Sequence, residues 1–326
     1  MLCIRRKNTN PYFNLATEEY VLKNFDEDSF MLWRNEPSII VGKHQNTLAE
    51  INIDYVKANN IPVVRRLSGG GAVFHDLGNL NFTFTKKGNN ENLIDFRKYT
   101  EPIIEVLNKI GIEAKFEGRN DLTIDGKKFS GNAEHIWKNR VLHHGTLLFS
   151  SEIKDLSQAL KVDPLKFTDK AVKSVRSRVT NISEHLKYKM DVMDFYEMII
   201  NHIINSHPDI KLYELSEYDH QQINILVNNK YSSWDWNFGY SPNYNFKKTI
   251  KTNGGFIEIN MDVINGIIID FKLYGDFFNI SEISELENII KSTPHERNII
   301  TEKLQNVSIG DYINNTNLDE FIDGLF

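Results

Sequence analysis

The sequence predicts an α+β protein with two domains. Helical and strand patterns mix along 326 residues, without internal repeats or a long low-complexity tract. A chain of this length can bury a substantial core and commonly divides into two domains. A polar stretch over 240–251, with one proline and three lysines, interrupts the apolar pattern. We therefore expect one domain over residues 1–245 and a second over 246–326.

Two amphipathic helices are predicted in the first domain. Thr100 is a suitable N-cap for a helix that Gly111 ends, and Asp191 is a suitable N-cap for the second. Their apolar faces consist of Ile103, Val106, Leu107 and Ile110 in the first helix and of Val192, Phe195, Tyr196, Ile199, Ile200 and Ile203 in the second. Such faces pack against a sheet, so we assign both helices to the core rather than to a site.

The C-terminal part is predicted to be a small α+β domain. Apolar and polar residues alternate over 257–263 and over 267–273, and the Asn265-Gly266 pair between them is typical of a hairpin turn. Ser281 is a suitable N-cap for a helix that follows. We find no motif of chemical interest in this part.

A glycine-rich segment over 65–76 has the sequence Arg-Arg-Leu-Ser-Gly-Gly-Gly-Ala-Val-Phe-His-Asp. Three residues without Cβ allow the backbone to approach an anion and to turn several N–H groups toward it, and arginine adds a charged fork. Residues 61–64 predict a strand that enters the loop, and the alternation over 80–85 predicts a strand that leaves it. The segment is therefore a candidate phosphate-binding loop.

A glycine-rich turn without a ligand is the alternative that this segment leaves open. A P-loop is excluded because the required lysine and Ser/Thr do not follow the last glycine. A Rossmann motif is excluded because Phe74 stands where its third glycine belongs.

A second segment contains the pair Asp125-Gly126, a strong signal for a tight hairpin turn. Its arms would carry Asn120 and Asp121 on one side and Lys128 on the other, so that an amide, a carboxylate and an ammonium could face one small site. An ATP-dependent reaction needs these groups. An exposed hairpin with solvated lysines is the alternative that the residues alone leave open.

The adjacent His143 and His144 precede an apolar strand end. A metal site is not favoured, because neighbouring side chains on a strand point to opposite faces and the single cysteine, Cys3, lies before the first predicted strand. We expect one of the two histidines to be buried and hydrogen-bonded. Farther along, residues 170–178 include four cations and no acid, which suits either a loop that closes over phosphates or a solvated loop.

The chain resembles the lipoate–protein ligase A family. The five matching blocks are 65–84, 118–133, 143–149, 174–181 and 233–239, and the resemblance extends from near residue 10 almost to the C-terminus. All the blocks in this order are hard to obtain by chance. The resemblance implies a large catalytic domain of mixed and antiparallel sheets with packed helices, as in biotin and lipoate ligases, and a small C-terminal accessory domain.

The resemblance also implies a two-step reaction. Lipoate and ATP, with Mg²⁺, would give lipoyl-adenylate and pyrophosphate. The lipoyl group would then pass to one lysine of a carrier: a lipoyl domain of a 2-oxoacid dehydrogenase complex, the glycine cleavage H protein, or both.

Matching positions in the motifs imply roles for particular residues. Lys128 would be the essential lysine, touching the lipoate carboxyl oxygen and the α-phosphate. Asp121 would hold Mg²⁺ or the adenylate, and Trp33 would flank the acyl chain or belong to the core. The residues expected at ATP or the adenylate are Arg66, Gly71, Ala72, Val73, Phe74, Asn120, Asp121 and Lys128, and those expected at lipoate are Arg66, Ser68, His75 and Lys128.

An octanoyl- or lipoyl-transferase of the same fold, which uses no ATP, is the chief alternative. It would form a thioester on a reactive cysteine, and Cys3, the only cysteine, lies outside every motif. A biotin ligase is disfavoured because its Gly-Arg-Gly-Arg loop is absent. The joint presence of Lys128, Arg66 and Asp121 argues against a third alternative, a lipoate- or nucleotide-binding module without catalysis.

Composition sets the remaining expectations. A net charge of −6 provides no basic field for nucleic acid. No apolar run approaches the roughly 18 residues of a membrane span, and no signal-peptide core follows Met1. A single cysteine excludes a disulfide framework and fits a reducing compartment, so we expect a cytoplasmic protein without nucleic-acid or membrane partners. Lipoate and octanoate differ by only about 1–3 kcal/mol in an apolar pocket, which leaves the choice between them open.

Overall fold

The structure, a computed structural model, describes residues 1–88, 94–152, 157–160, 167–169, 179–277 and 279–326. The predicted basic segment 170–178 lies outside them. The chain forms two compact units, of which the first falls within Met1–Lys43, Val56–Leu160 and Ser174–Ser233 and the second within His44–Tyr55, Lys161–Lys173 and Trp234–Phe326.

The strands are β1 Leu2–Arg5, β2 Ser29–Trp33, β3 Ser38–Val41, β4 Val63–Arg65, β5 Val73–His75, β6 Asn79–Lys87, β7 Ala114–Glu117, β8 Asp121–Ile124, β9 Lys127–Trp137, β10 Arg140–Leu148, β11 Phe167–Asp169, β12 Lys211–Tyr213, β13 Tyr244–Thr252, β14 Gly255–Ile264, β15 Ile267–Gly275 and β16 Thr293–Pro294. The α-helices are α1 Pro11–Asn24, α2 Thr47–Glu50, α3 Ile53–Ala58, α4 Phe96–Lys109, α5 Val192–Ser206, α6 Glu217–Leu226, α7 Ile283–Ile290, α8 Arg297–Leu304, α9 Ile309–Tyr312 and α10 Leu318–Gly324. Among the described helices, none combines the length and apolar character that crossing a membrane requires.

The first unit contains two sheets of mixed direction. An eight-stranded sheet has the order β12-β1-β2-β6-β10-β9-β8-β7, and a three-stranded sheet has the order β4-β3-β5. Strand β1 is parallel to β2 and β12, and β3 is parallel to β4, whereas β6, β10, β9, β8 and β7 form antiparallel pairs. Mixed sheets with packed helices confirm the predicted fold class.

The large sheet has one apolar face and one polar face, and β6 contributes side chains to both. Leu80, Phe82 and Phe84 join a buried core with the apolar residues of α4 and α5. On the opposite face, Thr83 Oγ1 donates a hydrogen bond of 2.6 Å to Glu18 of α1. Side chains alternate between faces along a strand, so one strand serves the core and a polar region at once.

Helix α4 forms as predicted but begins earlier. Its N-cap is Asp95, whose side chain accepts an N–H of the first turn. Thr100, the predicted cap, lies inside the helix and donates from its hydroxyl to the Phe96 carbonyl. Pro102 therefore lies within the helix, although proline favours the first turn. Gly111, with φ of 80°, follows the helix as predicted.

The second unit contains a five-stranded sheet of order β11-β13-β14-β15-β16. The predicted hairpin is confirmed as β14 and β15, joined by a turn at 265–266 with positive φ at both residues. The helix that follows begins at Ile283 with Glu282 at its N-cap, so Ser281 is not the cap. The N–H of Ser281 instead donates to the Asp311 carbonyl at 2.9 Å.

Residues 44–55 also belong to the second unit. Leu48 joins its apolar core, and Thr47 Oγ1 donates to the Asn237 carbonyl at 2.5 Å. This unit is therefore assembled from separate parts of the chain, and a linear boundary near residue 245 stays a proposal.

We expect Asp191→Ala to destabilise α5. The Asp191 side chain accepts the N–H groups of Met193 and Asp194, and the Asp194 side chain accepts the N–H of Asp191. Losing such a cap costs about 1 kcal/mol in the free energy of unfolding, measurable in urea. Asp209→Ala, at an exposed position, is the control, and equal losses in both variants would contradict the cap's role.

Candidate active site

Lys128 and Asp121 face each other across the hairpin of β8 and β9. The turn residues Asp125 and Gly126 have φ of 50° and 70°, as a tight two-residue turn requires, and confirm the predicted hairpin. Lys128 Nζ lies 2.8 Å from Asp121 Oδ1, with 29% and 33% of the two side chains exposed. The ammonium is thus held at the sheet surface rather than extended into solvent.

A β-bulge decides which face of the sheet Lys128 occupies. Lys128 pairs with Thr123, yet Gly131, and not residue 130, pairs with Asp121. A regular strand would put Lys128 and Gly131 on opposite faces, whereas the bulge puts them on the same face. The regular pairing of β9 with β10 extends that face to His144.

Gly131 provides the space that the Lys128 side chain occupies. A Cβ at Gly131 would lie 3.0 Å from both Cε and Nζ of Lys128. The Gly131 N–H donates to Thr146 Oγ1 of β10 at 3.2 Å. The lysine therefore lies over the β9–β10 ladder at a position that any side chain would crowd.

The glycine-rich loop packs against the end of β3. The Lys43 N–H donates to the Ser68 carbonyl at 2.8 Å. The Gly70 carbonyl lies 2.1 Å from where a Cβ on Gly42 would be, so this approach requires glycine at position 42. Gly70 itself has φ of 91°, in the region that favours glycine.

The strand that leaves the loop differs from the prediction. It is the short β5, which pairs with β3, whereas the predicted exit strand 80–85 belongs to β6 of the large sheet. Three residues are too few to show an alternation, so the pattern could not reveal β5. Of the predicted ATP-contacting residues, Gly71 and Ala72 therefore lie in the loop, and Val73 and Phe74 lie in a strand.

Arg66 is buried beneath the loop and shapes it. Its Nη2 donates to the carbonyls of Gly69 and Gly71 at 2.6 and 2.8 Å. Its Nη1 donates to the Ile40 carbonyl at 3.2 Å, and its Nε donates to Ser68 Oγ at 3.0 Å. Burial lowers the pKa of the guanidinium to about 10, which leaves it charged at neutral pH. Most of the N–H groups of the Arg66 guanidinium that were predicted to bind phosphate thus donate to the loop itself.

A buried hydrogen-bond chain continues from the loop into the large sheet. Ser68 Oγ lies 2.6 Å from His144 Nε2, and His144 Nδ1 lies 3.0 Å from Glu18 Oε1. A second arm reaches the same carboxylate, because Trp33 Nε1 donates to Thr83 Oγ1 at 2.9 Å and Thr83 donates to Glu18. Trp33 is therefore a buried residue on the face that carries the site.

The hairpin and the loop lie on the same face of β9 and β10. His144 contacts Ser68 of the loop, and Thr146, two residues farther along β10, contacts Gly131 beneath Lys128. Residues two apart on a strand are separated by about 7 Å. Two segments far apart in sequence therefore bring an ammonium and a glycine loop to neighbouring positions.

His75 has a buried N–H group directed away from its one hydrogen-bond partner. Asn35 Nδ2 lies 3.1 Å from His75 Nδ1, and Asn35 Oδ1 accepts from Asn14, which identifies the Asn35 nitrogen as the donor. His75 Nε2 then carries the proton, and it has no partner among the described residues. Burial lowers the pKa of His75 to about 3, with Arg66 acting in the same direction. The ring is neutral and can donate to a ligand.

Asn120 is engaged inside the hairpin. Its side-chain nitrogen donates to the Asn132 carbonyl, and the Asn132 side chain donates back to the Asn120 carbonyl at 3.0 Å. Asn120 therefore ties β8 to β9 beside Asp121, a role that sequence reasoning did not identify.

His143 points to the opposite face from His144. Its Nδ1 lies 2.8 Å from Glu134 Oε1, and its ring packs 4.9 Å from that of Tyr99. Burial lowers the pKa of His143. Both histidines are thus buried and hydrogen-bonded, whereas the sequence led us to expect one. Within the described ranges, no group of three or more His, Cys, Asp or Glu side chains could hold a metal ion.

Comparison with known proteins identifies the family of the chain. The Lipoyl protein ligase A/B catalytic domain matches residues 10–204, and the Bacterial lipoate protein ligase C-terminus matches residues 241–325. The chain is 44% identical to lipoate-protein ligase LplJ of Bacillus subtilis, with 100% of both chains covered. It is 42% identical to lipoate–protein ligase 1 of Staphylococcus aureus, with 96% of each covered.

Solved structures are similar as well. LipL1 of P. falciparum in complex with lipoate has a TM-score of 0.63 at 28% identity, covering 99% of this chain and 97% of the other. A lipoate-protein ligase A bound with ATP has a TM-score of 0.62 at 26% identity, covering 73% and 98%. The bipartite ligase of Thermoplasma acidophilum, described with its E2 lipoyl domain, has a TM-score of 0.62 at 26% identity, covering 73% and 96%.

The chain therefore belongs to the lipoate–protein ligase A family, a family of enzymes.

We expect Gly131→Ala to fold normally and to impair ligase activity about tenfold. The new methyl group would lie 3.0 Å from the end of the Lys128 side chain, which is flexible and can move aside. If Lys128 aligns the reactants, as the family motif implies, a small displacement of its side chain lowers the rate while packing is preserved. Gly310→Ala, whose Cβ would meet only an atom at 3.9 Å, is the control. Equal activity in the two variants, at unchanged melting temperatures, would contradict the position given to Lys128.

Proposed function

We propose that this protein is an ATP-dependent lipoate–protein ligase that forms lipoyl-AMP and transfers the lipoyl group to a lysine of a carrier domain. The observation that carries the proposal is the Lys128 ammonium, held by Asp121 over Gly131 on the same sheet face as His144 and the loop it contacts. The names of the relatives and the lipoate-bound and ATP-bound neighbours support it.

In the first step, a carboxylate oxygen of lipoate attacks the α-phosphorus of ATP, and the bond to the pyrophosphate oxygen breaks. The two reacting groups are both anionic, so cations and N–H donors arranged in advance lower the barrier. Lys128 would contact the carboxyl oxygen and the α-phosphate together, which aligns them. N–H groups of the 71–74 backbone that are not used in the pairing of β5 with β3 would donate to the phosphates above the buried charge of Arg66.

Asp121 would hold Mg²⁺ together with the phosphates of ATP. Mg²⁺ commonly takes one or two carboxylates plus substrate phosphates. Asp121 Oδ1 contacts Lys128, and its second carboxylate oxygen has no hydrogen-bond partner within the described ranges, so the residue fits such a role. When bound, the ion neutralises phosphate charge. Asn120 would act through the hairpin that it braces.

Ser68 and His75 would border the acyl end of lipoate. His75 Nε2 offers a buried donor, and Trp33 forms an edge contact with the His75 ring at 6.1 Å between centroids. Buried walls of this kind keep water from the acyl-adenylate.

In the second step, the carrier's lysine amine attacks the acyl carbon, the bond to the phosphate oxygen breaks, and AMP leaves. The carriers we propose are lipoyl domains of 2-oxoacid dehydrogenase complexes, the glycine cleavage H protein, or both. The neighbour described with its E2 lipoyl domain supports the first choice.

The buried Cys3 argues against the transferase alternative. The prediction that Cys3 precedes the first strand was wrong, because Cys3 lies within β1. Burial raises the pKa of its thiol to about 11, although Arg5 opposes the shift. A thioester route needs an accessible thiolate, which this residue does not provide at neutral pH. A reduced, buried thiol fits the cytoplasmic location that we also propose.

The decisive assay is incubation with lipoate, Mg²⁺ and ATP, with and without a lipoyl domain, followed by detection of AMP and pyrophosphate. We expect both products. Release of ADP, or acyl transfer from a thioester donor without ATP, would overturn the assignment.

We expect Lys128→Ala to fold normally and to lose adenylation by at least about 100-fold, since a charge that bridges both reactants is removed. Lys127→Ala, at the exposed neighbouring position, is the matched control and should retain activity. Near-normal pyrophosphate release by Lys128→Ala would contradict the role of this lysine.

A further inference from the structure

We propose that Glu18 of α1 is a positioning residue for adenylation, acting on the glycine-rich loop through His144 and Ser68. The inference rests on the proposed function and adds to it a residue that sits in none of the matching motifs.

The direction of every hydrogen bond in the loop-side arm follows from its ends. Arg66 Nε can only donate, so Ser68 Oγ accepts from it and sends its own hydrogen to His144 Nε2. His144 Nδ1 then carries the ring proton and donates to Glu18. A carboxylate fits this terminus because it accepts and does not donate.

The second arm points to the same carboxylate. Trp33 Nε1 can only donate, so Thr83 Oγ1 accepts from it and donates to Glu18 Oε1 at 2.6 Å. Glu18 therefore joins the loop that we assign to phosphate and the wall that we assign to the acyl group in one network. Its side chain is buried, with 4% exposed.

The neighbouring Glu19 shows that burial alone does not define this role. Glu19 is equally buried, yet it accepts from Lys23 at 2.5 Å, from Lys230 at 2.7 Å and from Tyr231 at 2.7 Å. None of these hydrogen bonds includes a member of the Glu18 network. Two adjacent carboxylates on one helix thus hold different parts of the unit.

Glu18→Gln isolates the effect of the carboxylate. An amide is isosteric but has a donor end as well as an acceptor end, so the His144 tautomer is no longer determined and the Ser68 hydroxyl can turn away from Arg66. Arg66 would then no longer be held in one position under the carbonyls of Gly69 and Gly71. The loop would lose its fixed orientation toward phosphate.

The test measures AMP formation by the full chain for Glu18→Gln, with Glu19→Gln as the matched control. We expect Glu18→Gln to lower kcat about tenfold and to raise the KM for ATP several-fold, and Glu19→Gln to leave both near the parent values. A purely structural role would reduce the active fraction, which lowers kcat and leaves KM unchanged. Parallel behaviour of the two variants would overturn the proposal.

A double-mutant cycle with Ser68→Ala tests the route. Ser68→Ala already removes one link of the hydrogen-bond chain. Adding Glu18→Gln to it should therefore lower kcat by less than about a further threefold. Fully multiplicative losses would overturn the proposed route.

A third measurement needs neither a variant nor activity. In the wild-type protein, ¹⁵N NMR should show His144 protonated at Nδ1 and unprotonated at Nε2. Protonation at Nε2, alone or together with Nδ1, would overturn the proposal even if Glu18→Gln did not fold. If the wild type forms no AMP, the proposed function fails, whereas an active wild type with an unaffected Glu18→Gln rejects only this inference.

Discussion

The site depends on one extra residue in β9. The bulge beside Thr123 places Lys128 on the face of the large sheet that carries His144, not on the face where His143 packs against the apolar core. An unpaired ammonium on the core face would pay a desolvation cost of several kcal/mol. On the His144 face, the same ammonium meets the carboxylate of Asp121 at the protein surface. The bulge thus determines whether the Lys128 ammonium lies on the same face of the sheet as the glycine loop.

The two sides of the site differ in rigidity for electrostatic reasons. Arg66 and Glu18 are both buried, and they are linked through Ser68 and His144 rather than by a direct ion pair. A buried charge with all its partners in place loses stability when it moves, so the loop side is preorganised. The ion pair of Lys128 is about one third exposed and can exchange partners at low cost. Under the proposed function, a preorganised loop beside an adjustable cation suits adenylation, in which negative charge passes from the lipoate carboxylate to the departing pyrophosphate.

Local sequence signals predicted what local interactions determine. The hairpin at Asp125, the cap at Asp191 and the apolar faces of α4 and α5 each depend on a few neighbouring residues, and the structure has them as predicted. The bulge, the short β5 and the membership of residues 44–55 in the second unit depend on distant partners and leave no periodic pattern. Glu18 was missed for the same reason, because its partners Thr83 and His144 lie far along the chain and leave no local pattern.

The proposed function requires Lys128 and the glycine loop to act on one mixed anhydride. A crystal structure with a non-hydrolysable lipoyl-adenylate analogue would show whether they do. We expect Lys128 Nζ and backbone N–H groups of the loop to lie within about 3.2 Å of oxygens of the same acyl-phosphate linkage. An analogue bound with Lys128 Nζ still on Asp121 and several ångströms from the linkage would contradict the account.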